Sequence, residues 1–183
     1  MSGLAAGIRL AHYDQKVCIL EKHWTIGGLN SFYRSGGRNY DVGLHAVTNF
    51  TPPGAKKGPL ARLLRQLRFK WEDFELSPQV GSAIAFPGVR LGFTNDIELL
   101  KSEVAREFPK QADSFARLLG QLADYDDLNQ DNFGGSARQF LSDTISDPLL
   151  IEMLLCPLMW YGNARQDDMD YGQFCIMFRS IFL

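Results

Sequence analysis

The spacing of apolar positions changes several times along this chain, and each change marks an element. Leu4, Ile8 and Ala11 stand at i, i+4 and i+7, the spacing of one helical face. Gly3 and Gly7 are four apart, share a face, and let that helix lie close on a sheet. A polar turn, His12-Tyr13-Asp14-Gln15, follows. Lys16–Leu20 is apolar from Val17 onward, as a buried parallel strand is, so a strand is predicted there with Cys18 as a small core residue. Phe32-Tyr33-Arg34 and Arg38-Asn39-Tyr40-Asp41-Val42 flank Ser35-Gly36-Gly37. That pattern predicts a hairpin, closed by Gly43-Leu44-His45.

Residues 50–59 are rich in Pro and Gly and read as a break. Beyond it, Leu60, Leu63, Leu64 and Leu67 predict an amphipathic helix, and Lys70–Leu76 a short strand. Gly81–Phe86 and Val89–Phe93 around Pro87-Gly88 predict a second hairpin. Thr94-Asn95-Asp96 caps a helix with Ile97, Leu100, Val104 and Phe108 on one face, ended by Pro109. Ala112, Phe115, Leu118, Leu119 and Leu122 predict another helix, and Asp124–Asp131 is an acidic connection. Residues 136–183 read as helices broken at Pro148, at Pro157 and by Gly162. The expected fold is α/β, with a partial Rossmann-like domain over 1–50. A mostly helical α+β substrate region follows over 51–183.

The helix, turn and strand at the start are the rear half of a dinucleotide-binding βαβ unit. A whole unit opens on a strand and G-x-G-x-x-G. Gly3 can be the third glycine, while no residues precede Met1 to carry the first strand and the first two. The chain therefore reads as cut at its front edge. In an intact unit the helix N-terminus faces a pyrophosphate, whose charge suits the free N–H groups and the dipole. Glu21 ends the predicted strand. A carboxylate there can accept hydrogen bonds from an adenosine ribose and would repel a 2′-phosphate, which favours FAD or NAD over NADP. Gly27-Gly28 then lets backbone N–H groups approach a phosphate. The plainer alternative is an ordinary αβ segment with a surface Glu.

S-G-L-A-A-G, V-C-I-L-E-K-H, I-G-G-L-N-S-F and Y-D-V-G-L-H, over residues 2–45, resemble the FAD-dependent amine-oxidase-like superfamily. The nearest branch is that of phytoene desaturases, carotenoid isomerases and retinol saturases. F-P-G-V-R-L, a helix ending in E-F-P, and the final M-D-Y-G-Q-F-C-I-M-F-R-S-I-F-L are similar to that branch more loosely. The resemblance implies FAD held by Gly3, Glu21, Lys22, Gly27 and Gly28, with Gly43 and His45 near the flavin side. His45 could polarise the flavin or orient substrate, or be a structural histidine at a hairpin end. The C-terminal FAD-binding segment of that branch has no counterpart before Leu183, so the chain reads as truncated at both ends.

Composition narrows the partners. The chain has 183 residues, 45% hydrophobic and 22% charged, with a net charge of −2. That is ordinary for a soluble globular protein and gives no general pull toward nucleic acid. Cys18, Cys156 and Cys175 are far apart, without ligand spacing for a metal or a disulfide framework. No signal peptide and no run of about 18 apolar residues is present, so a cytoplasmic location is expected. Residues 56–70 hold Lys56, Lys57, Arg62, Arg65, Arg68 and Lys70 without an acidic residue. A basic amphipathic helix can lie on an anionic bilayer; a core-facing leucine stripe with a solvated basic back is the simpler reading.

Phe174, Met177, Phe178, Ile181 and Phe182 fall at helical spacing, and 149–160 is almost wholly apolar. Such stripes are core in most proteins, and in an enzyme acting on a long polyene they could line a tunnel. With the chain ending at Leu183, the last stripe is expected to lack packing partners. G-x-S-x-G and H-E-x-x-H are both absent, so hydrolase chemistry has no support. The sequence thus points to a fragment of an FAD-dependent oxidoreductase that desaturates, saturates or isomerises an apolar isoprenoid- or carotenoid-like substrate. No catalytic residue or metal ligand is nominated, and the chain alone is expected to be inactive. The alternatives are a flavin amine oxidase-like enzyme and a non-catalytic truncated remnant or binding module.

Overall fold

A computed structural model describes residues 2–28, 31–42, 52–74, 76–126, 129, 134–160, 163 and 165–183. The chain divides into two compact units, Met1–Leu76 and Ser77–Leu183. The turn-rich stretch 50–59 therefore lies inside the first unit.

In the first unit, α1 (Ser2–Ala11) ends in a turn where Asp14 takes φ 57°. Strands β1 (Phe32–Ser35) and β2 (Arg38–Asp41) pair antiparallel with Tyr33 opposite Tyr40. Gly36 and Gly37 have φ 56° and 77°, the paired positive values that a two-residue hairpin turn requires. Helix α2 (Pro59–Leu67) begins with proline and ends where Arg68 takes φ 58°. The short strand expected over Lys70–Leu76 is instead a 3-10 turn, Trp71–Asp73, because the Asp73 carboxylate accepts the Lys70 N–H at 2.8 Å.

Lys16–Leu20 also departs from expectation. It takes no regular secondary structure, and among the described residues no strand pairs with it. An apolar run becomes a buried strand only when neighbours satisfy its backbone on both sides. Here Cys18 is exposed, and Leu20 is 91% exposed. In the whole first unit only Gly7, Ala61 and Leu64 are buried among the described residues.

The second unit has a continuous core. Strands β3 (Ser82–Phe86) and β4 (Val89–Phe93) form a hairpin that sets Ile84 opposite Leu91. Helix α3 (Ile97–Glu107) is capped by Asp96, whose side chain accepts the Glu98 N–H. Leu100 and Val104 are its buried residues. Helix α4 (Ala112–Ala123) buries Phe115, Leu118, Leu119 and Leu122. Ser136 caps α5 (Ala137–Thr144), Asp147 caps α6 (Pro148–Met159) and Asp170 caps α7 (Tyr171–Phe182).

Two prolines differ from their sequence reading. Pro148 starts α6 rather than breaking a helix, since a first-turn residue needs no N–H donor. Pro157 lies within the last turn of α6, which continues to Met159 while Met153, Leu154, Leu155 and Leu158 are buried. Gly162 lies outside the described residues.

The C-terminal stripe does not lack partners. Phe174, Phe178 and Phe182 are buried, with Met177 and Ile181 packed against the same core. Phe182 meets Phe93 edge-on at 4.8 Å between ring centroids. The stripe in α6 is core as well, apart from Leu149 and the strongly exposed Trp160 that follows the helix.

Polar bonds also join the elements of the second unit. Glu103 accepts the Gly92 N–H at 2.9 Å and pairs with Arg106. The Gly92 bond, opposed by partial burial and helped by Arg106, holds the Glu103 carboxyl below the usual glutamate range. Arg138 binds both oxygens of Glu152, which lowers that carboxyl too. Gln111 and Ser146 exchange two bonds of 2.8 and 3.0 Å.

Candidate functional site

The predicted cofactor residues cluster along one stretch of the first unit, and their positions follow from how α1 meets the chain after it. Gly7 is the buried residue of α1. A Cβ at Gly7 would stand 2.7 Å from Ile19 Cδ1 and 3.4 Å from Val17 Cγ1; at Gly3 it would stand 3.8 Å from Ile19 Cγ2. The helix therefore lies directly on the segment, and any side chain at Gly7 would displace Ile19. This is the close helix–strand approach for which dinucleotide-binding units use glycine. No acidic residue occupies the first turn of α1, and Gly3 is exposed there.

Glu21 follows the segment and is exposed. Its Oε1 accepts the His23 N–H at 2.8 Å, so the carboxylate is held at the segment's end with its second oxygen available. Lys22 is exposed beside it. The two histidines that flank these elements differ in exposure. His23 is exposed, whereas His12 is half-buried, with Nε2 3.2 Å from the Leu67 carbonyl oxygen.

Beyond His23 the chain makes the turn that carries Gly27 and Gly28, at φ 115° and 60°. A Cβ on Gly28 would meet nothing within 4 Å, so the glycine serves backbone conformation there and leaves open space in front of it. Thr25, three residues before Gly28, has a buried hydroxyl without a hydrogen-bond partner among the described residues. A buried hydroxyl without a partner costs about 1–3 kcal/mol in proteins, and a rotation of the Thr25 side chain toward the turn would let that hydroxyl meet a polar group. Sequence reasoning missed Thr25, because nothing in T-I-G-G marks a hydroxyl as isolated.

A cavity of about 460 Å³ opens beside the turn. Its lining draws on the turn, with Trp24 and Gly28, and on the hairpin, with Phe32, Tyr33 and Arg34. Trp24 and Phe32 meet edge to face at 5.3 Å. Arg34 is steadied by a bond from Nε to Asn39 Oδ1 at 3.0 Å. The walls thus combine aromatic faces with one guanidinium. Gly43 and His45 lie outside the described residues.

A dinucleotide makes three demands of its site. Such a ligand needs a pyrophosphate cradle, a carboxylate for the ribose and freedom from side chains where the backbone approaches. Thr25 Oγ1 can donate to a phosphate, the open space at Gly28 admits the backbone's approach and the Glu21 carboxylate can accept from ribose hydroxyls, and in that respect the residues fit. Among the described residues the segment has no parallel neighbour, so the fit covers part of a nucleotide site.

In the second unit, Tyr171 and Cys175 are an unused pair of titratable groups. Burial, against a Tyr171 hydrogen bond, pushes the Cys175 thiol up to about 11. Burial and the Cys175 contact raise the Tyr171 phenol as well. Both shifts favour neutral, inert side chains. No group of three His, Cys, Asp or Glu is placed to hold a metal ion, and no helix is long and apolar enough to cross a membrane, among the described residues.

No curated protein and no solved structure matches this chain. Residues 1–67 match the family model of the NAD(P)-binding Rossmann-like domain. That stretch, which holds α1, Glu21, the glycine turn and α2, is therefore similar to the dinucleotide-binding domain of Rossmann-like oxidoreductases.

Proposed function

We propose that this chain is part of an FAD-dependent oxidoreductase whose substrate is apolar and isoprenoid- or carotenoid-like. The observation that carries the nucleotide half is the contact of Gly7 with Ile19, together with the carboxylate that ends the same segment. In this reading Glu21 accepts hydrogen bonds from the ribose hydroxyls. Thr25 Oγ1 and the backbone at Gly27 and Gly28 receive the phosphates. Gly43 and His45 belong on the flavin side, as the sequence resemblance implies. The flavin, when bound, supplies the hydride or electron chemistry; the chain binds and orients it. The preference for FAD and for an apolar substrate rests on the sequence motifs of residues 2–45.

Flavin titration of the full chain, followed by fluorescence quenching, tests this. Because Lys16–Leu20 is unpaired among the described residues, the chain should bind FAD saturably but weakly, and lose it on gel filtration. Glu21→Ala should weaken binding by roughly 1–3 kcal/mol, the scale for a lost hydrogen-bonded charged partner. Thr25→Val should weaken it too. Absence of saturable quenching, or affinity unchanged by both substitutions, would reject the assignment.

A further inference from the structure

The net charge of −2 conceals a division along the chain. Met1–Leu76 carries eleven Lys and Arg against six Asp and Glu, a net +5, whereas Ser77–Leu183 carries eight against fifteen, a net −7. Six of the eleven cations fall within 56–70. All six are exposed, and among the described residues none of their charged groups forms an ion pair.

The structure also brings them together. Arg62 and Arg65 are neighbours on α2 at i, i+3, and Arg65 Nη1 donates to the Lys56 carbonyl at 3.2 Å, tying the lysine loop to the helix. A row of like charges at that spacing disfavours a helix unless an anion faces it. Apolar side chains stand in the same stretch. α2 turns Ala61 and Leu64 inward, yet Leu63 remains 46% exposed and Phe69 41% exposed. The simpler reading, a leucine stripe wholly turned to the core, therefore covers only part of α2.

We propose that Lys56–Lys70 is a docking surface for an anionic lipid bilayer. The six cations meet lipid phosphates, while Leu63 and Phe69 press into the boundary between headgroups and acyl chains. Charge complementarity selects an anionic partner. The exposed Leu63 and Phe69 select a partner that also receives apolar groups, which a bilayer does and a soluble polyanion does not. The inference is independent of the dinucleotide reading, since it uses none of the residues assigned to the nucleotide.

Co-flotation of the full chain with vesicles tests it, using phosphatidylcholine with and without phosphatidylglycerol. Binding is expected only with phosphatidylglycerol and should fall steeply with salt. The triple variant Lys56→Glu, Lys57→Glu, Arg62→Glu should lose about tenfold or more in affinity. Leu63→Gln should weaken binding while leaving the salt slope unchanged; circular dichroism verifies that both variants stay folded. Equal binding to neutral vesicles, or no binding to anionic ones, would overturn the proposal. So would heparin binding as tight as vesicle binding with no effect of Leu63→Gln, which indicates a soluble polyanion. A salt-sensitive self-associated species in ultracentrifugation that persists with vesicles unbound would point instead to the acidic unit of a second copy.

Discussion

Gly7 offers the sharpest test of the helix–segment contact on which the nucleotide reading stands. Two effects oppose each other in Gly7→Ala. Alanine in place of glycine stabilises a helix by about 1 kcal/mol. The new methyl would meet Ile19 Cδ1 at 2.7 Å, but that atom ends a flexible side chain that is 45% exposed. Ile19 can swing outward at the loss of roughly one buried methylene, about 0.8 kcal/mol. The two cancel, so Gly7→Ala should change stability by less than about 1 kcal/mol. Gly7→Val is different. Its extra carbons press toward Ile19 Cγ1 and Val17 Cγ1, at 3.3 and 3.4 Å from the Cβ position. Those atoms move only by a change of χ1, which is restricted in β-branched side chains, and overpacking of that kind costs about 1–3 kcal/mol. Amide hydrogen exchange across Ser2–Ala11 measures the effect locally. Gly7→Val should speed exchange in α1, whereas Gly7→Ala should leave it nearly unchanged. Ile19→Ala should restore protection in the Gly7→Val background, giving a coupling of about 1 kcal/mol, within the range for residues in contact. Unchanged exchange in Gly7→Val, or strict additivity with Ile19→Ala, would refute the packing and remove the main structural support for a Rossmann-like helix.

Two further predictions concern the second unit. Phe178 is fully buried, its ring tilted against those of Phe174 and Phe182 at 5.6 and 4.7 Å between centroids, so Phe178→Ala should destabilise Ser77–Leu183 by about 3–5 kcal/mol in urea unfolding; a loss under 1 kcal/mol would mean that the C-terminal stripe is not core. Glu103 and Glu152 titrate below the ordinary glutamate value of 4.5 when folded. Their stabilising contribution is therefore complete above that value and is lost as pH falls through the lower folded values. Thermal unfolding should drop below pH 4.5 in the wild type, and drop less steeply in Glu103→Gln, which retains an oxygen for the Gly92 N–H; parallel curves would contradict the assigned bond.

Elements whose signals are local were legible from the sequence. Gly36-Gly37 between alternating residues marked a hairpin turn, and Asp96 before Ile97 marked a helix start, because the residues that carry each signal also make the bonds. Lys16–Leu20 failed as a strand for the opposite reason. Its apolar run states what the segment would bury, while strand formation depends on a neighbour elsewhere in space. Lys70–Leu76 failed because one carboxylate, Asp73, closed a turn on Lys70 where residue propensity favoured extension. The C-terminal stripe read as unpartnered because its covering, Phe93 included, lies about ninety residues away in sequence that carries no mark of the pairing. At the site, Glu21 and the double glycine were visible as residue types. The unpartnered Thr25 hydroxyl was not, since isolation is a property of surroundings. The charge division could have been counted from the sequence, but an average over the chain cancels it.

The two units differ in what holds them. Ser77–Leu183 buries aromatic and aliphatic side chains from both strands and five helices in a single core. Met1–Leu76 buries three residues among those described and leaves Leu20, Trp24 and Ile26 each at least 70% exposed. A unit with so little core gains proportionately from anything that binds its folded form. A ligand at a hundred times its dissociation constant adds about 2.7 kcal/mol, a large share of a typical margin of about 5–15 kcal/mol. The first unit is also the positive one, and both ligands inferred for it, a dinucleotide and an anionic bilayer, are anions that meet different residues. By linkage, whichever binds first would order the unit for the other. FAD affinity measured with anionic vesicles present would then exceed the affinity in their absence, and the gain would vanish with the charge-reversed 56–70 segment while Glu21 stays in place.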